Sequence, residues 1–269
     1  MEKRLSSSFE PITVLTAVYL DRAERWDYLV QTMRSFYQCC RYPGELIHFL
    51  IDDRSPMLQA ELKGLCAGLG IQIIGRIDPV TRRGFFEAYR QLLSKVKTRY
   101  FLYLEPDHYF YLPGDFLSPM LRLFEFQPEL IGVYLRAPMN YERFKREQTD
   151  DGDVLITYDK TRLRRVVIDE QNSGWVGRGY QHEGFSLMPT LWRTEPMHDY
   201  FLRDGFWIDA KTPYDLEMAV DPDWNCTRLT GYLNAQAFCY HIGAQGGMGG
   251  GHSNPGDSRY EQIWSEKVL

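Results

Sequence analysis

The sequence predicts an α/β protein organised on a mostly parallel central sheet, and three observations predict it. From Pro11 to Leu104, short apolar runs alternate with segments of helical period in the order strand, helix, strand, helix, strand, helix, strand. Alternation of that kind joins parallel strands through right-handed crossovers. The runs themselves, such as Tyr100-Phe101-Leu102-Tyr103-Leu104, are continuous rather than alternating, as in strands covered on both faces. Finally, acids follow directly on two of these runs, as Asp52-Asp53 and as Glu105-Pro106-Asp107. The carboxyl ends of strands in an open α/β sheet are where ligands bind.

The elements follow in order. Pro11 to Leu20 is rich in β-branched residues and reads as the first strand. Asp21 stands where an N-cap belongs and Glu24 follows three residues on, so a helix is expected to start there with a capping box. Its apolar positions are Trp26, Leu29, Val30, Met33 and Phe36, and Pro43-Gly44 ends it. Leu46 to Ile51 is the second strand. Leu58 to Leu69 is a helix closed by Gly70. Ile71 to Ile77 is the third strand. Gly84 opens a helix from Phe85 to Lys95 with Phe86, Tyr89, Leu92 and Leu93 on one face. In the fourth strand Pro106 lacks an N–H and ends the ladder, so both acids leave the sheet.

Beyond it, Phe116 to Phe126 reads as a helix and Leu130 to Leu135 as a strand. Arg143 to Asp153 is mixed in charge and reads as a surface loop. Val154 to Tyr158 and Arg164 to Ile168 flank Asp159-Lys160-Thr161-Arg162, which predicts a β-hairpin. Gly184 to Trp192 reads as a strand running into a short helix. Pro213 to Val220 starts a helix with Thr212 as N-cap, and Gly231 to His241 reads as a strand. Residues 244–251 contain five glycines.

Composition bounds the function. The 269 residues permit one large α/β domain or two small ones, and the 44% hydrophobic and 14% aromatic content supports a sizeable core. A net charge of −5 argues against nucleic acid as a partner. Five cysteines without a Cys-x-x-Cys pair argue against a disulfide framework and point to a reducing, cytoplasmic compartment. Residues 1–9 show no apolar signal region, and no apolar run approaches the ~20 residues of a membrane helix, so any membrane contact is expected to be peripheral.

Several residue sets point to chemistry. Glu105 and Asp107, one residue apart on a strand-ending turn, can seat a divalent cation carrying phosphates, or form an ordinary acidic turn. Asp52 or Asp53 can accept a hydrogen bond from a ribose or base, or cap the next helix. Asp215 reads both as a general base held ionised by a helix N-terminus and as the partner of Thr212 in a capping box, with Glu217 as the second candidate. His241 ends a strand beside a glycine-rich loop that could bring N–H groups to phosphate. Trp175 and Trp192 read as core residues or as stacking surfaces for sugars. The basic residues Arg143, Lys145, Arg146, Lys160, Arg162, Arg164 and Arg165 read as a solvated surface or as a face for an anionic acceptor.

Taken in order, Ile12-Thr13-Val14-Leu15-Thr16-Ala17-Val18-Tyr19, Leu50-Ile51-Asp52-Asp53-Arg54-Ser55, Arg83-Gly84 and Leu104-Glu105-Pro106-Asp107 resemble the nucleotide-sugar signature of GT-A fold glycosyltransferases. The pattern is most similar to the large inverting glycosyltransferase family 2, which includes chitin-synthase-like enzymes. The resemblance implies a single GT-A, Rossmann-like domain, with a nucleotide-sugar-binding half over about 10–112 and an acceptor-binding half over about 113–269. It implies that Thr16, Ala17 and Tyr19 hold the nucleotide, that Asp52, with Asp53 beside it, contacts uracil or ribose, and that Arg83 lies near base and phosphates. It likewise implies that Glu105 and Asp107 stand in for an Asp-x-Asp motif, that His241 joins them on Mn²⁺ or Mg²⁺ or touches the diphosphate, and that Asp215 is the base, although Tyr214 stands where a Glu is usual. The segment Gln181 to Arg193 resembles the acceptor side.

The expected reaction is transfer of a sugar from a nucleoside-diphosphate sugar to a hydroxyl of a glycan or glycolipid, with inversion and metal assistance. A sugar nucleotidyltransferase is the first alternative, although Tyr19-Leu20-Asp21-Arg22 lacks the glycines of a phosphate loop. The second is a non-catalytic GT-A-like domain that binds a glycan or a partner.

Overall fold

The computed structural model describes residues 9–56, 58–76, 84–135, 144–158, 185–220, 228–233 and 237–242. The first four strands are β1 (Ile12–Val18), β2 (Leu46–Asp52), β3 (Gln72–Arg76) and β4 (Tyr100–Tyr103). Between them run α1 (Ala23–Cys39), α2 (Gln59–Leu69) and α3 (Phe85–Lys95). These four strands are mutually parallel in the order β3-β2-β1-β4, with Ile12 opposite both Leu46 and Tyr100. The alternation of the sequence is therefore realised as crossovers on a parallel sheet.

The chain continues through β5 (His108–Phe110), α4 (Leu117–Phe126), β6 (Leu130–Tyr134), β7 (Phe144–Gln148), β8 (Val154–Tyr158) and β9 (Thr190–Arg193). Then come α5 (Thr194–Phe201), α6 (Pro213–Ala219), β10 (Leu229–Leu233) and β11 (Cys239–His241). Among the described residues nine strands form one sheet, β3-β2-β1-β4-β9-β6-β10-β8-β7, while β5 and β11 form a separate antiparallel pair. In the large sheet β9 runs antiparallel to both β4 and β6.

Strand periodicity divides the core into two layers. Ile12, Val14 and Val18 of β1, with Tyr100 and Leu102 of β4, pack with Leu29, Met33 and Phe36 of α1 and with Met120 and Leu123 of α4. Leu15 and Ala17 of β1, with Phe101 and Tyr103 of β4, pack with Phe86, Tyr89 and Leu92 of α3 and with Phe201 of α5. The sheet is thus covered on both faces, which explains why its strands read as unbroken apolar runs.

The second half departs from the sequence reading in two places. Residues 144–148, expected in a loop, form β7. β8 pairs with β7 on one edge and β10 on the other, and Arg164 to Ile168, the other arm of the expected hairpin, lies outside the described residues. The expected strand Gly231 to His241 is two strands in two sheets. The expected capping box of α1 is also absent. Arg22 is the N-cap without a side-chain bond, and Asp21 pairs with Arg25 at 3.1 Å instead. Among the described residues no helix is long and apolar enough to cross a membrane.

Candidate nucleotide and metal site

The carboxyl ends of β1, β2 and β4 open into one cleft of about 840 Å³. Ala17 and Tyr19 line it from β1 and the residues after it, Asp53 from the end of β2, and Glu105 and Asp107 from the end of β4. Acids separated by half the chain's first hundred residues therefore share one rim, as an open parallel sheet requires.

The turn after β2 decides which of its two acids faces the cleft. Asp52 is buried, and its Oδ1 accepts the Ser55 N–H at 2.8 Å. Ser55 Oγ accepts the Leu20 N–H at 2.7 Å, which ties this turn to the end of β1. Arg54 takes the left-handed conformation at φ 64°. Asp53 donates its N–H to Val18 O at 2.7 Å and accepts from Arg54 Nε at 2.8 Å. Asp53 lines the cleft, whereas Asp52 shapes the turn beneath it.

Thr16 is also turned away from the cleft. It lies on the α1 face of β1, where its hydroxyl meets His48 Nε2 and donates to Leu104 O, each at 3.0 Å. Arg83 lies outside the described residues. Gly84, directly after it, has φ 79° and caps α3, and a Cβ there would stand 2.4 Å from Ala210 O. This close approach fixes the N-terminus of α3, with Phe86 N–H on Ala210 O at 3.1 Å, at the edge of the cleft. Free N–H groups and the helix dipole make such an end favourable for anions.

The acidic turn carries the strongest electrostatic contrast. His108 enters β5 directly after it, and β5 pairs with β11 so that His108 faces His241. Asp107 Oδ2 lies 3.0 Å from His241 Nε2, and Asp107 Oδ1 lies 3.2 Å from His108 Nδ1. Glu105, Asp107 and His108 offer ligand atoms that all lie within 4.8 Å of one another. Burial pushes the Glu105 carboxyl well up, and the charges of Asp107 and Glu217 push it further. Burial also acts against Asp107, but the hydrogen bonds and charge of His108 and His241 outweigh it and hold that carboxyl well below its usual range. In His241 burial disfavours the imidazolium, yet Asp107 raises its pKa overall.

Asp215 closes a capping box at the start of α6. Its N–H donates to Thr212 Oγ1 at 3.1 Å, and its Oδ2 accepts from Thr212 N at 2.9 Å and Lys211 N at 3.1 Å. The residue is half-buried beside the cleft-lining segment Lys211 to Pro213. Glu217 is buried and accepts from Ser186 Oγ at 2.9 Å and Leu187 N–H at 2.6 Å. Trp192 is fully buried against Gly132, where a Cβ would approach its ring to 2.5 Å, so it is a core residue and not a sugar platform. Trp175 lies outside the described residues.

Sequence reasoning did not single out Arg22, Arg25, Asp209, Lys211 or His108, although all but His108 line the cleft and His108 stands beside its acidic turn. Position alone could have pointed to three of them. Arg22 and Arg25 begin the helix after β1, and His108 directly follows Asp107. Asp209 and Lys211 are brought in by tertiary contact with α3.

No protein-family model matches this chain, and no curated protein matches it in sequence. Solved structures do match in fold. TarS 1-349 of S. aureus superposes with a TM-score of 0.55 at 12% identity, over 87% of this chain and 60% of that one. The same protein in complex with UDP-GlcNAc gives 0.55 at 12% identity, over 89% and 60%, and in complex with UDP gives 0.52 at 13%, over 86% and 60%. This chain thus spans about 60% of the length of those TarS structures. TarS is a GT-A glycosyltransferase, and the fold of the present chain is the same mixed α/β, GT-A-like fold.

Proposed function

With the GT-A fold as premise, we propose that this protein is a glycosyltransferase, moving a sugar from a nucleoside-diphosphate sugar to a hydroxyl of a glycan or glycolipid acceptor with inversion. The observation that carries the reading is the shared cleft. It holds Asp53 at one strand end, Glu105 and Asp107 at another, and Arg22, Arg25, Arg54 and Lys211 around them. Its volume of about 840 Å³ suits a ligand of nucleotide-sugar size. A nucleoside diphosphate presents donors on its base and ribose and negative charge on its diphosphate, and the cleft offers acceptors for the first and cations for the second. That the same fold in TarS is seen with UDP and UDP-GlcNAc supports the reading.

In this scheme Ala17, Tyr19 and Asp53 hold the nucleoside, with Asp52 shaping the turn and Arg83 near base and phosphates. The N-terminus of α3 and the basic side chains face the diphosphate. Glu105, Asp107, His108 and His241 fit a divalent cation: ligand atoms of the first three lie within 4.8 Å of one another, His241 Nδ1 is buried with no hydrogen-bond partner among the described residues, and carboxylate oxygens suit Mn²⁺ or Mg²⁺. Such an ion, when bound, offsets the charge that builds on the departing diphosphate. Among the described residues Asp215 Oδ1 accepts no hydrogen bond, while Oδ2 caps the helix. It takes the acceptor's hydroxyl proton as that oxygen attacks the anomeric carbon opposite the leaving group. Glu217, buried and hydrogen-bonded, is the weaker candidate for this base. The free cysteines Cys39, Cys40, Cys66 and Cys239 suit a cytoplasmic setting.

The test is incubation with a panel of nucleotide sugars and Mn²⁺, with nucleoside diphosphate release as the readout. Release with one donor class, abolished in Asp107→Ala, is expected. Absence of release and of UDP or GDP binding across the panel would overturn the proposal.

A further inference from the structure

α1 covers the sheet face that carries Thr16, and its hydroxyl side chains reach the strands around the acidic turn. Tyr37 Oη lies 2.9 Å from His48 Nδ1, and His48 Nε2 lies 3.0 Å from Thr16 Oγ1. Thr16 donates to the Leu104 carbonyl at 3.0 Å. The polarity of this chain follows by elimination. A carbonyl only accepts, so the single Thr16 proton is spent on Leu104. The Thr16 oxygen must then accept, and His48 Nε2 carries the hydrogen. A neutral imidazole has one N–H, so Nδ1 is bare and accepts from Tyr37. Burial drives the His48 pKa down to about 3 and that of Tyr37 up to about 12, so both stay neutral and the polarity holds.

Leu104 is the last residue before Glu105, and its N–H makes the final backbone bond to β1, to Leu15 O at 2.9 Å. On the far side of the turn, the His108 N–H donates to Thr32 Oγ1 and the Phe110 N–H to Ser35 Oγ, each at 3.0 Å. Thr32 and Ser35 are buried on α1. The turn therefore hangs between one hydroxyl before it and two after it.

We propose that this buried hydroxyl and imidazole network positions the metal-binding turn. Tyr37, His48 and Thr16 set its entry through the Leu104 carbonyl, and Thr32 and Ser35 set its exit through the His108 and Phe110 N–H groups. Together they hold Glu105, Asp107 and His108 at the separation one cation can bridge. The inference deepens the proposed function and rests on its placing a cation at this turn. These are positioning residues, since Tyr37, His48, Thr16, Thr32 and Ser35 do not line the cleft.

The test uses the full chain with ¹⁵N-labelled histidine. His48 is expected as the neutral Nε2–H tautomer, and an Nδ1–H tautomer overturns the relay. Thr16→Val, which keeps shape and removes the hydroxyl, is expected to shift the imidazole signals of His108 and His241 and to weaken Mn²⁺ binding, read by electron paramagnetic resonance, about tenfold. Thr16→Ser should restore both. Unmoved His108 and His241 signals in the Val variant overturn the inference whatever the protein does with a nucleotide sugar. A wild-type chain with no Mn²⁺ affinity overturns the metal assignment of the proposed function, while the imidazole signals still decide whether the network positions the turn.

Discussion

Asp107 Oδ2 and His241 Nε2 stand 3.0 Å apart across 134 residues of chain. The contact joins the end of β4 to the end of β11, because His108 and His241 are opposed in the small antiparallel pair. With His108, His241 also holds the Asp107 carboxyl well below its usual range, beside a Glu105 whose carboxyl burial pushes up. If the pair serves a cation, Asp107→Asn is expected to lower sugar transfer at least about a hundredfold, and His241→Gln about tenfold to a hundredfold. Initial rates against Mn²⁺ concentration check this. Equal loss at saturating and limiting metal would assign both residues a role other than holding the ion.

Asp52 and Asp53 are adjacent in sequence but differ in role. Asp53→Ala is expected to weaken UDP binding about tenfold, the cost of one hydrogen bond to a polar ligand group. Asp52→Ala, which removes the acceptor of the Ser55 N–H, is expected to cost about 1 kcal/mol of stability or more. Calorimetric UDP binding and thermal melting of the two variants separate the roles.

Gly84 sits where the first half of the chain meets the segment before α6. A Cβ there would clash with Ala210 O, and φ 79° disfavours any side chain. Gly84→Ala is expected to destabilise the protein by about 1–3 kcal/mol and to raise the donor KM through displacement of the α3 N-terminus. Chemical denaturation with parallel kinetics measures both.

Asp215 can be separated from its cap. Asparagine at this N3 position keeps a side-chain oxygen that can accept the Thr212 and Lys211 N–H groups but cannot take a proton. Asp215→Asn is expected to keep the melting temperature while lowering kcat by about a hundredfold or more. Glu217→Gln should instead lower the melting temperature, because a buried acceptor of the Leu187 N–H and the Ser186 hydroxyl is altered. A stable Asp215→Asn variant with full kcat would remove Asp215 as the base.

His48 makes stability depend on pH. In the unfolded chain its imidazole binds a proton near 6.5, whereas in the folded protein burial lowers this to about 3. Between these values the unfolded state holds the extra proton, so stability falls as the pH drops, by at most about 1.4 kcal/mol per unit from this group. Melting curves from pH 7 to pH 4.5 should fall more steeply for the wild type than for His48→Gln. Parallel curves would show that the ring is not buried neutral.

The sequence by itself determined the parallel half of the molecule. Apolar runs covered on both faces, helical-period segments between them and acids at the strand ends are local signals, and β1 to β4 with α1 to α3 follow them closely. It also contained the capping box at Thr212 and Asp215, which depends only on neighbouring residues. What the tertiary structure decided is every feature that depends on which strand lies beside which. β9 enters between β4 and β6, β7 takes the edge of β8, and β11 leaves the large sheet to bring His241 to Asp107. Side-chain direction belongs there too. With a period of two, Thr16 faces α1 while Ala17 faces the opposite layer, and the turn at Arg54 puts Asp53, not Asp52, on the cleft. Neighbouring residues in a strand point to opposite sides, so a motif can mark the right place in the chain while packing chooses which of its members meets the ligand.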